Sequence, residues 1–381
     1  MPYFDNNATT PLEPGAQQAL INATKENWAN PSSPYRSSAQ VRAAIQKCRE
    51  SICSTLEVDP DLLTFTSGAT EANNSIFSNL AKYASQSARV LLSPFEHPSV
   101  SEAAHFWFSD RVDVLSALPN GTISTDEITE YLKQGNQTAL VAVMAASNES
   151  GVIQPWREIA RLCQANGIPY HCDSTQLPGK EDLKDLSICS FHVASAHKFG
   201  GPKGVGWLVG EEGSSLMVGG AQEKGRRGGT ENYPAISSAC SAWKTNVKAS
   251  IDPSGLVVLR DKFEEQMKNL FPGIKFIGQE VPRLWNTSLF IMPHHENLKW
   301  VGKLDKFGFQ VSTGSACSTI KTGGSPIAIA LGLSNAETQR LIRVSSFQSH
   351  TQNDWHSLAA AFKKASDELD AESTDSSVIS L

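Results

Sequence analysis

Three short segments of this chain carry side chains suited to one kind of chemistry. Ser195, Ala196, His197 and Lys198 follow an apolar run and precede Phe199-Gly200-Gly201-Pro202. A lysine at a strand end beside small residues can lose its hydration and act as a nucleophilic amine. Alone, Lys198 would read as one more solvated loop lysine. Asp173 ends an earlier apolar run, so in a parallel sheet it emerges at the same edge, where ligands of such sheets bind. Alone, it would read as a helix cap. A third run ends at Thr66 and turns through Ser67-Gly68-Ala69-Thr70-Glu71 into a helix, whose free N–H groups and dipole suit a phosphate, or simply a cap. Together, an amine for a Schiff base, a carboxylate for a pyridinium nitrogen and an anion site are what pyridoxal 5'-phosphate requires.

A fourth segment differs in kind. Cys317 lies in Val311-Ser312-Thr313-Gly314-Ser315-Ala316-Cys317-Ser318-Thr319, whose small residues cannot build a core and predict an exposed, mobile loop. A free thiol with a pKa of about 8.5 is partly ionised at neutral pH, so a neighbouring base such as His97 would raise its reactive fraction.

The elements that must hold these residues follow from periodicity. Candidate strands at 62–66, 89–93, 112–115, 139–144, 168–172, 188–193 and 206–209 alternate with helical stretches at 39–56, 71–81, 125–134 and 156–166. The last is opened by Pro155 and closed by Gly167. This is an α/β layout with a mainly parallel sheet. The Ser, Asp, Pro and Gly near 248–255 mark a domain boundary, and an amphipathic helix follows at 256–270. A smaller α+β domain completes the chain, with a short polar tail beyond about Glu372 expected to be disordered or loosely docked.

Bulk properties narrow the function. The 381 residues carry a formal charge of -6 at pH 7, and no Lys/Arg run exceeds Arg226-Arg227, so no nucleic-acid partner is expected. Neither a signal segment nor a membrane span is read, and a cytoplasmic protein acting on a small substrate is expected. The seven cysteines, at 48, 53, 163, 172, 189, 240 and 317, show no CxxC spacing, which argues against zinc or a disulfide framework. All but Cys317 read as small buried hydrophobes.

These residues, with Phe4-Asp5-Asn6-Asn7-Ala8-Thr9-Thr10-Pro11, Asn30-Pro31-Ser32-Ser33, Glu96-His97, Asn148-Glu149, Gln176, Arg226 to Thr230 and Ser315-Ala316-Cys317, resemble a cysteine desulfurase nearly end to end. The family is aminotransferase-like and pyridoxal-phosphate-dependent, and the long loop after Cys317 resembles its iron–sulfur and nitrogenase-type branch. The resemblance implies a large cofactor domain with a seven-stranded, mainly parallel sheet over 13–250. Residues 1–12 and 251–381 would form the small domain, with the cysteine loop at about 312–325.

It further implies that Lys198 forms the Schiff base, Asp173 pairs with the pyridinium nitrogen and His97 stacks on the ring and takes part in catalysis. Ala69, Thr70, Ser195 and His197 would hold the phosphate, Gln176 the phenolic oxygen, and Asn148 with Arg343 the substrate carboxylate. Arginine suits that last task through its planar fork. Thr230, after the basic, Gly-rich run 224–229, would reach the phosphate of a neighbouring subunit, which implies a homodimer. L-cysteine would displace Lys198, which becomes the base for the Cα proton. Cys317 would take the sulfur as a persulfide, L-alanine would leave, and a sulfur-acceptor or iron–sulfur scaffold protein would receive the sulfur. No resident metal is expected, with Cys317 a transient ligand of an iron–sulfur cluster.

The chain departs from the family pattern in two places. Pro34-Tyr35-Arg36 stand where a histidine is usual, and Arg343 is followed by Val344-Ser345-Ser346-Phe347-Gln348 where Ser-Leu-Gly is common, which removes a glycine. Ala145, Ala146 and Ser147 are smaller than usual and would widen the pocket. Rival readings are a selenocysteine lyase, a cysteine-sulfinate desulfinase, or a retired fold kept as a scaffold. A nucleotide-binding oxidoreductase fails because the glycine run at 200–206 leads into a strand instead of opening a helix.

Overall fold

A computed structural model describes residues 2–210, 216–248, 253–314 and 325–378. Seven strands form the main sheet: β1 (Leu63–Thr66), β2 (Arg89–Leu92), β3 (Val112–Val114), β4 (Thr138–Ala142), β5 (Tyr170–Asp173), β6 (Phe191–Ser195) and β7 (Gly206–Gly210). Their order is β1-β7-β6-β5-β4-β2-β3, and β7 alone runs against its neighbours. The seven expected strands are therefore present, with ends displaced by at most three residues.

The sheet is covered on both faces, which explains its near-continuous apolar strands. Val90, Leu92, Leu140, Ala142, Phe191, Val193 and Leu208 face the helices Ala69–Tyr83 and Pro98–Phe108. Their strand neighbours Leu91, Val141, Cys172, Ala194, Trp207 and Val209 point the other way, into a core shared with the helices Arg36–Leu56, Trp156–Ala165 and Tyr233–Trp243. That alternation is the period of two of a pleated strand.

A second, antiparallel sheet follows, in the order β10-β9-β8, from β8 (Lys275–Phe276), β9 (Thr287–Ile291) and β10 (Leu341–Ser345). Phe263, Phe290, Trp300, Ile342, Trp355 and Phe362 form its core with the helices Ser254–Leu270, Asn297–Lys306 and Gln352–Val378. The polar tail corrects an expectation: the last helix runs on through 373–378 instead of loosening after Glu372. Leu369 is buried, and Lys303 reaches both Glu368 and Glu372, so the next turn extends an anchored helix at little further cost.

The N-terminal segment crosses between the two sheets. Asp5 bridges to Ser345 at the end of β10, while Thr10 N–H donates to the His197 carbonyl beyond β6.

Candidate active site

The C-terminal ends of the parallel strands open into one cavity of about 300 Å³. Asp173 is the last residue of β5 and Ser195 the last of β6, with His197 and Lys198 in the tight turn after it. Ala69 and Thr70 begin the helix that follows β1, and His97 caps the helix that follows β2. All of these line the cavity, as do Asn148, Gln176 and Arg343. Ala146 lines it too.

The turn before the first helix is shaped by glycine. Gly206, at the start of β7, packs against Gly68; a Cβ there would fall 2.3 Å from the Ala194 carbonyl and 2.7 Å from Gly68 Cα. Gly68 itself has φ 153°, a backbone that other residues rarely adopt. This close approach lets Ala69 N–H donate to Ser195 Oγ at 2.8 Å, tying the helix N-terminus to the end of β6.

Lys198 is held by the N-terminal segment: its Nζ donates to the carbonyls of Asn7 (2.6 Å) and Ala8 (2.8 Å). Asn7 is a buried hub that sequence reading did not assign. Its side chain donates to Thr287 Oγ1 and the Asn148 carbonyl and accepts from Asn286, and its carbonyl also accepts from Gln176 Nε2. Lys180, likewise unassigned, donates to Gln176 Oε1 at 2.5 Å. Burial holds its ammonium well below the usual lysine range, and Lys198 and Arg343 push the same way. Gln176 and Lys180 stand four residues apart in a run of turns, not on a helix, so their spacing gave no helical-face signal.

Asp173 accepts from Asn73 Nδ2 (3.2 Å) and Thr175 N–H (3.0 Å). Burial lowers the pKa of His97, Asp173 opposes that shift and Lys198 adds to it. The Ser99 N–H donates to His97 Nδ1 at 3.1 Å, so the proton of the neutral ring sits on Nε2. In that form His97 offers a proton to the cavity. Burial, with Lys198, Lys203, Lys180 and His97 adding to it, brings His197 down to about 4, so it too is neutral.

Glu96 carried no role in the sequence reading, yet it lines the cavity fully buried. Its Oε1 accepts from Met144 N–H and its Oε2 has no partner. Burial, then the Asp173 charge, pushes its carboxyl up to about 8.

Arg343 sits on β10 with its guanidinium against Asp5 and the carbonyls of Asn148 and Gly314. Ser346, Phe347 and Gln348 keep negative φ, so none of them needs glycine's conformational freedom, and Ser346 N–H donates to the Asn286 carbonyl at 2.8 Å. Thr230 lies elsewhere, lining a separate crevice with Arg227 and Glu231. Cys317 lies outside the described residues; Gly314 and Pro326, on either side of its segment, line the cavity. Of the other six cysteines five are buried and Cys48 is half-buried, and burial raises Cys53 and Cys163 to about 12. Among the described residues no cluster of three or more His, Cys, Asp or Glu is placed to hold a metal ion, and no helix is long and apolar enough to cross a membrane.

Comparison with known proteins places this geometry in context. A family model, aminotransferase class-V, matches residues 2–358. A cysteine desulfurase IscS of Dictyoglomus turgidum is 31% identical over 340 residues, covering 87% of this chain and 86% of the relative. A cysteine desulfurase of Nostoc sp. is 31% identical over 352 residues, covering 90% and 87%. Among solved structures, a NifS-like protein from Rickettsia africae superposes with a TM-score of 0.86 at 27% identity, covering 96% of this chain and 99% of that one. SspA in complex with cysteine superposes with a TM-score of 0.79 at 28% identity, covering 91% and 99%.

Proposed function

The chain belongs to the class-V aminotransferase family, and from that premise we propose that it is a pyridoxal-phosphate-dependent cysteine desulfurase. It converts L-cysteine to L-alanine and holds the sulfur as a persulfide on Cys317. The observation that carries this reading is the convergence of Lys198, Asp173 and Arg343 on one cavity, bordered by Gly314 and Pro326 on either side of the Cys317 segment.

The cavity suits that cofactor. The helix N-terminus at Ala69 and Thr70, with Ser195 and His197, offers donors to a phosphate. Asp173 supplies the carboxylate for a ring nitrogen, His97 a flat neutral face, and Gln176, anchored by Lys180, an amide for a phenolic oxygen. Thr175 Oγ1 and Arg343 Nε are buried at the cavity without partners among the described residues, which fits a polar guest. When bound, pyridoxal phosphate supplies an electron sink for the substrate Cα.

The chain's own residues do the rest. Lys198 Nζ takes the Cα proton, and Arg343 with Asn148 holds the substrate carboxylate. The Cys317 thiolate attacks the substrate Sγ: an S–S bond forms, the C–S bond breaks, and its electron pair stays with the carbon that is protonated to give alanine. We place the cofactor-binding unit at 13–250 and the smaller one at 1–12 with 251–381. Thr230, which lines a separate crevice and not the cavity of its own chain, would serve a neighbouring subunit in a homodimer. A cytoplasmic sulfur-acceptor or iron–sulfur scaffold protein would take the sulfur.

The test is L-alanine and sulfide release from L-cysteine plus a thiol reductant, comparing the purified protein with Cys317→Ala. Equal alanine and sulfide from the parent, lost in the variant, is the expected result. Activity in both would point to a selenocysteine or sulfinate substrate, and inactivity in both to another reaction or a retired fold.

A further inference from the structure

A chain of hydrogen bonds runs beneath the cavity between two residues that the proposed function uses. His97 Nδ1 lies 2.9 Å from Ser99 Oγ; Asn73 Nδ2 donates to Ser99 Oγ at 2.9 Å and to Asp173 Oδ2 at 3.2 Å; Asn73 Oδ1 lies 3.0 Å from His171 Nε2. Asn73 and His171 are both 0% exposed, Asp173 7% and Ser99 9%. At this burial, each atom's capacity to give or take a proton fixes the direction of the chain.

The assignment starts at Asp173. A carboxylate only accepts, so the amide of Asn73 turns its NH₂ to Asp173 and its oxygen to His171. That oxygen only accepts, so the His171 proton is on Nε2. The second N–H of Asn73 points to Ser99 Oγ, which leaves the hydroxyl proton for His97 Nδ1. The Ser99 backbone N–H, 3.1 Å away, presses the same choice.

We propose that Asn73 and Ser99 are positioning residues that lock His97 as the neutral, Nε2-protonated ring and couple its state to Asp173. This rests on the desulfurase reading for its purpose: a ring held neutral can lie flat against a cofactor while its Nε2–H donates one hydrogen bond into the cavity. A charged His97 would need a proton on Nδ1, against the Ser99 N–H and with the Ser99 hydroxyl reversed. That reversal would set two donors, His97 and Asn73, on one hydroxyl oxygen and turn its own O–H away from the acceptor it has on His97. The other groups around His97 are Asp173 from β5, Lys198 and His197 beyond β6, and Glu96 before it in sequence. Asp173 favours a charged ring and Lys198 opposes it, so the hydrogen-bond chain adds to Lys198 against the Asp173 pull.

The test uses the full-length protein labelled with ¹⁵N-histidine, the His97 signals being assigned by their loss in His97→Gln. The ring-nitrogen shifts report tautomer and titration midpoint without reference to activity. The parent is expected to show a protonated Nε2 and an unprotonated Nδ1 through neutral pH. Ser99→Ala should raise the His97 midpoint by about half to one pH unit, the worth of one lost hydrogen bond. Ser99→Thr, which keeps the hydroxyl, should restore it. Asn73→Ala, which removes no atom in contact with His97, should move the same signals, and the double variant should move them less than the sum. Unchanged His97 signals in Ser99→Ala and Asn73→Ala, with circular dichroism showing the parent fold, would overturn the proposal, as would an Nδ1-protonated ring in the parent. Alanine and sulfide assays on the same samples separate the two ideas. Locked His97 signals without desulfurase activity would leave the network standing and remove its purpose, whereas activity with indifferent signals would do the reverse.

Discussion

Arg343 and Asp5 form an ion pair at 2.6 Å, although they stand near opposite ends of the chain, and the arginine lines the cavity. The arginine side chain is 3% exposed and the aspartate 18%. Nη1 is committed to the carbonyls of Asn148 and Gly314, each at 3.0 Å, and Nε alone has no partner. A substrate carboxylate therefore meets an arginine whose strongest donor is already taken by another carboxylate.

Asp5→Asn removes that rival charge. We expect KM for L-cysteine to fall severalfold. The free protein should lose about 1–3 kcal/mol, because a buried cation is left without its counter-charge. Part of that loss should return when L-alanine is present, since the ligand binds only the folded state. Steady-state kinetics and urea midpoints with and without L-alanine check both halves. A higher KM would instead mean that Asp5 serves to aim the guanidinium.

Glu96 makes stability depend on pH in a definite direction. Its folded-state pKa of about 8 lies above that of an exposed carboxyl, so between roughly pH 4.5 and 8 the folded protein keeps a proton that the unfolded chain has released. Stability falls as pH rises through that window and levels off above it. Glu96→Gln resembles the protonated acid and can still accept from Met144 N–H. It should match the parent near pH 4 and exceed it at pH 8.5 by a margin on the order of 3–5 kcal/mol. Urea titrations across that range decide it, and parallel curves for the two proteins would contradict the assignment.

The residues around Glu96 also show where the sequence was readable. Strand-end chemistry was legible, because an apolar run followed by small polar residues marks where a parallel sheet stops, and Asp173, Ser195 and Lys198 stand at such ends. Strand limits were less so: the apolar run at 139–144 continues past β4, since Val143 and Met144 are buried beyond the paired residues, with Met144 N–H turned to Glu96. Asn7, Asn73 and Lys180 gave no local signal. Their contacts join segments that only the fold brings together, as when Asn7 meets Asn148, Asn286 and Thr287. Cys317 lies outside the described residues, and its role stands on its sequence setting and on the flanking Gly314 and Pro326.

Lys198 offers a direct check on the proposed base. Its Nζ donates to the main-chain carbonyls of Asn7 and Ala8 at the cavity. Lys198→Ala should fold, lack the Schiff-base absorbance expected of the parent loaded with pyridoxal phosphate, and lower kcat by about 10²–10⁴, the usual worth of a positioned general base. Added methylamine should recover part of the rate by standing in for the lost amine. A variant with parental kcat would remove Lys198 from the reaction.

The loop that leads to Thr230 depends on a buried ion pair. Arg49 donates to both carboxylate oxygens of Glu223 at 2.9 Å and to the Leu63 carbonyl at 2.6 Å, and Glu223 also accepts from Phe65 N–H. Their side chains are 9% and 3% exposed. These bonds bolt Glu223 and Lys224, which have φ of 48° and 59°, to β1 against their own backbone preference. Arg49→Met strands the Glu223 charge and should cost about 3–5 kcal/mol, with faster proteolysis around 216–230. The double variant with Glu223→Gln should recover part of the loss, because no buried charge is left alone. If this segment carries Thr230 to a neighbouring subunit, Arg49→Met should also shift sedimentation toward the monomer at concentrations where the parent is dimeric. A melting temperature within about 1 °C of the parent would show that the pair holds the loop no more firmly than its surroundings do.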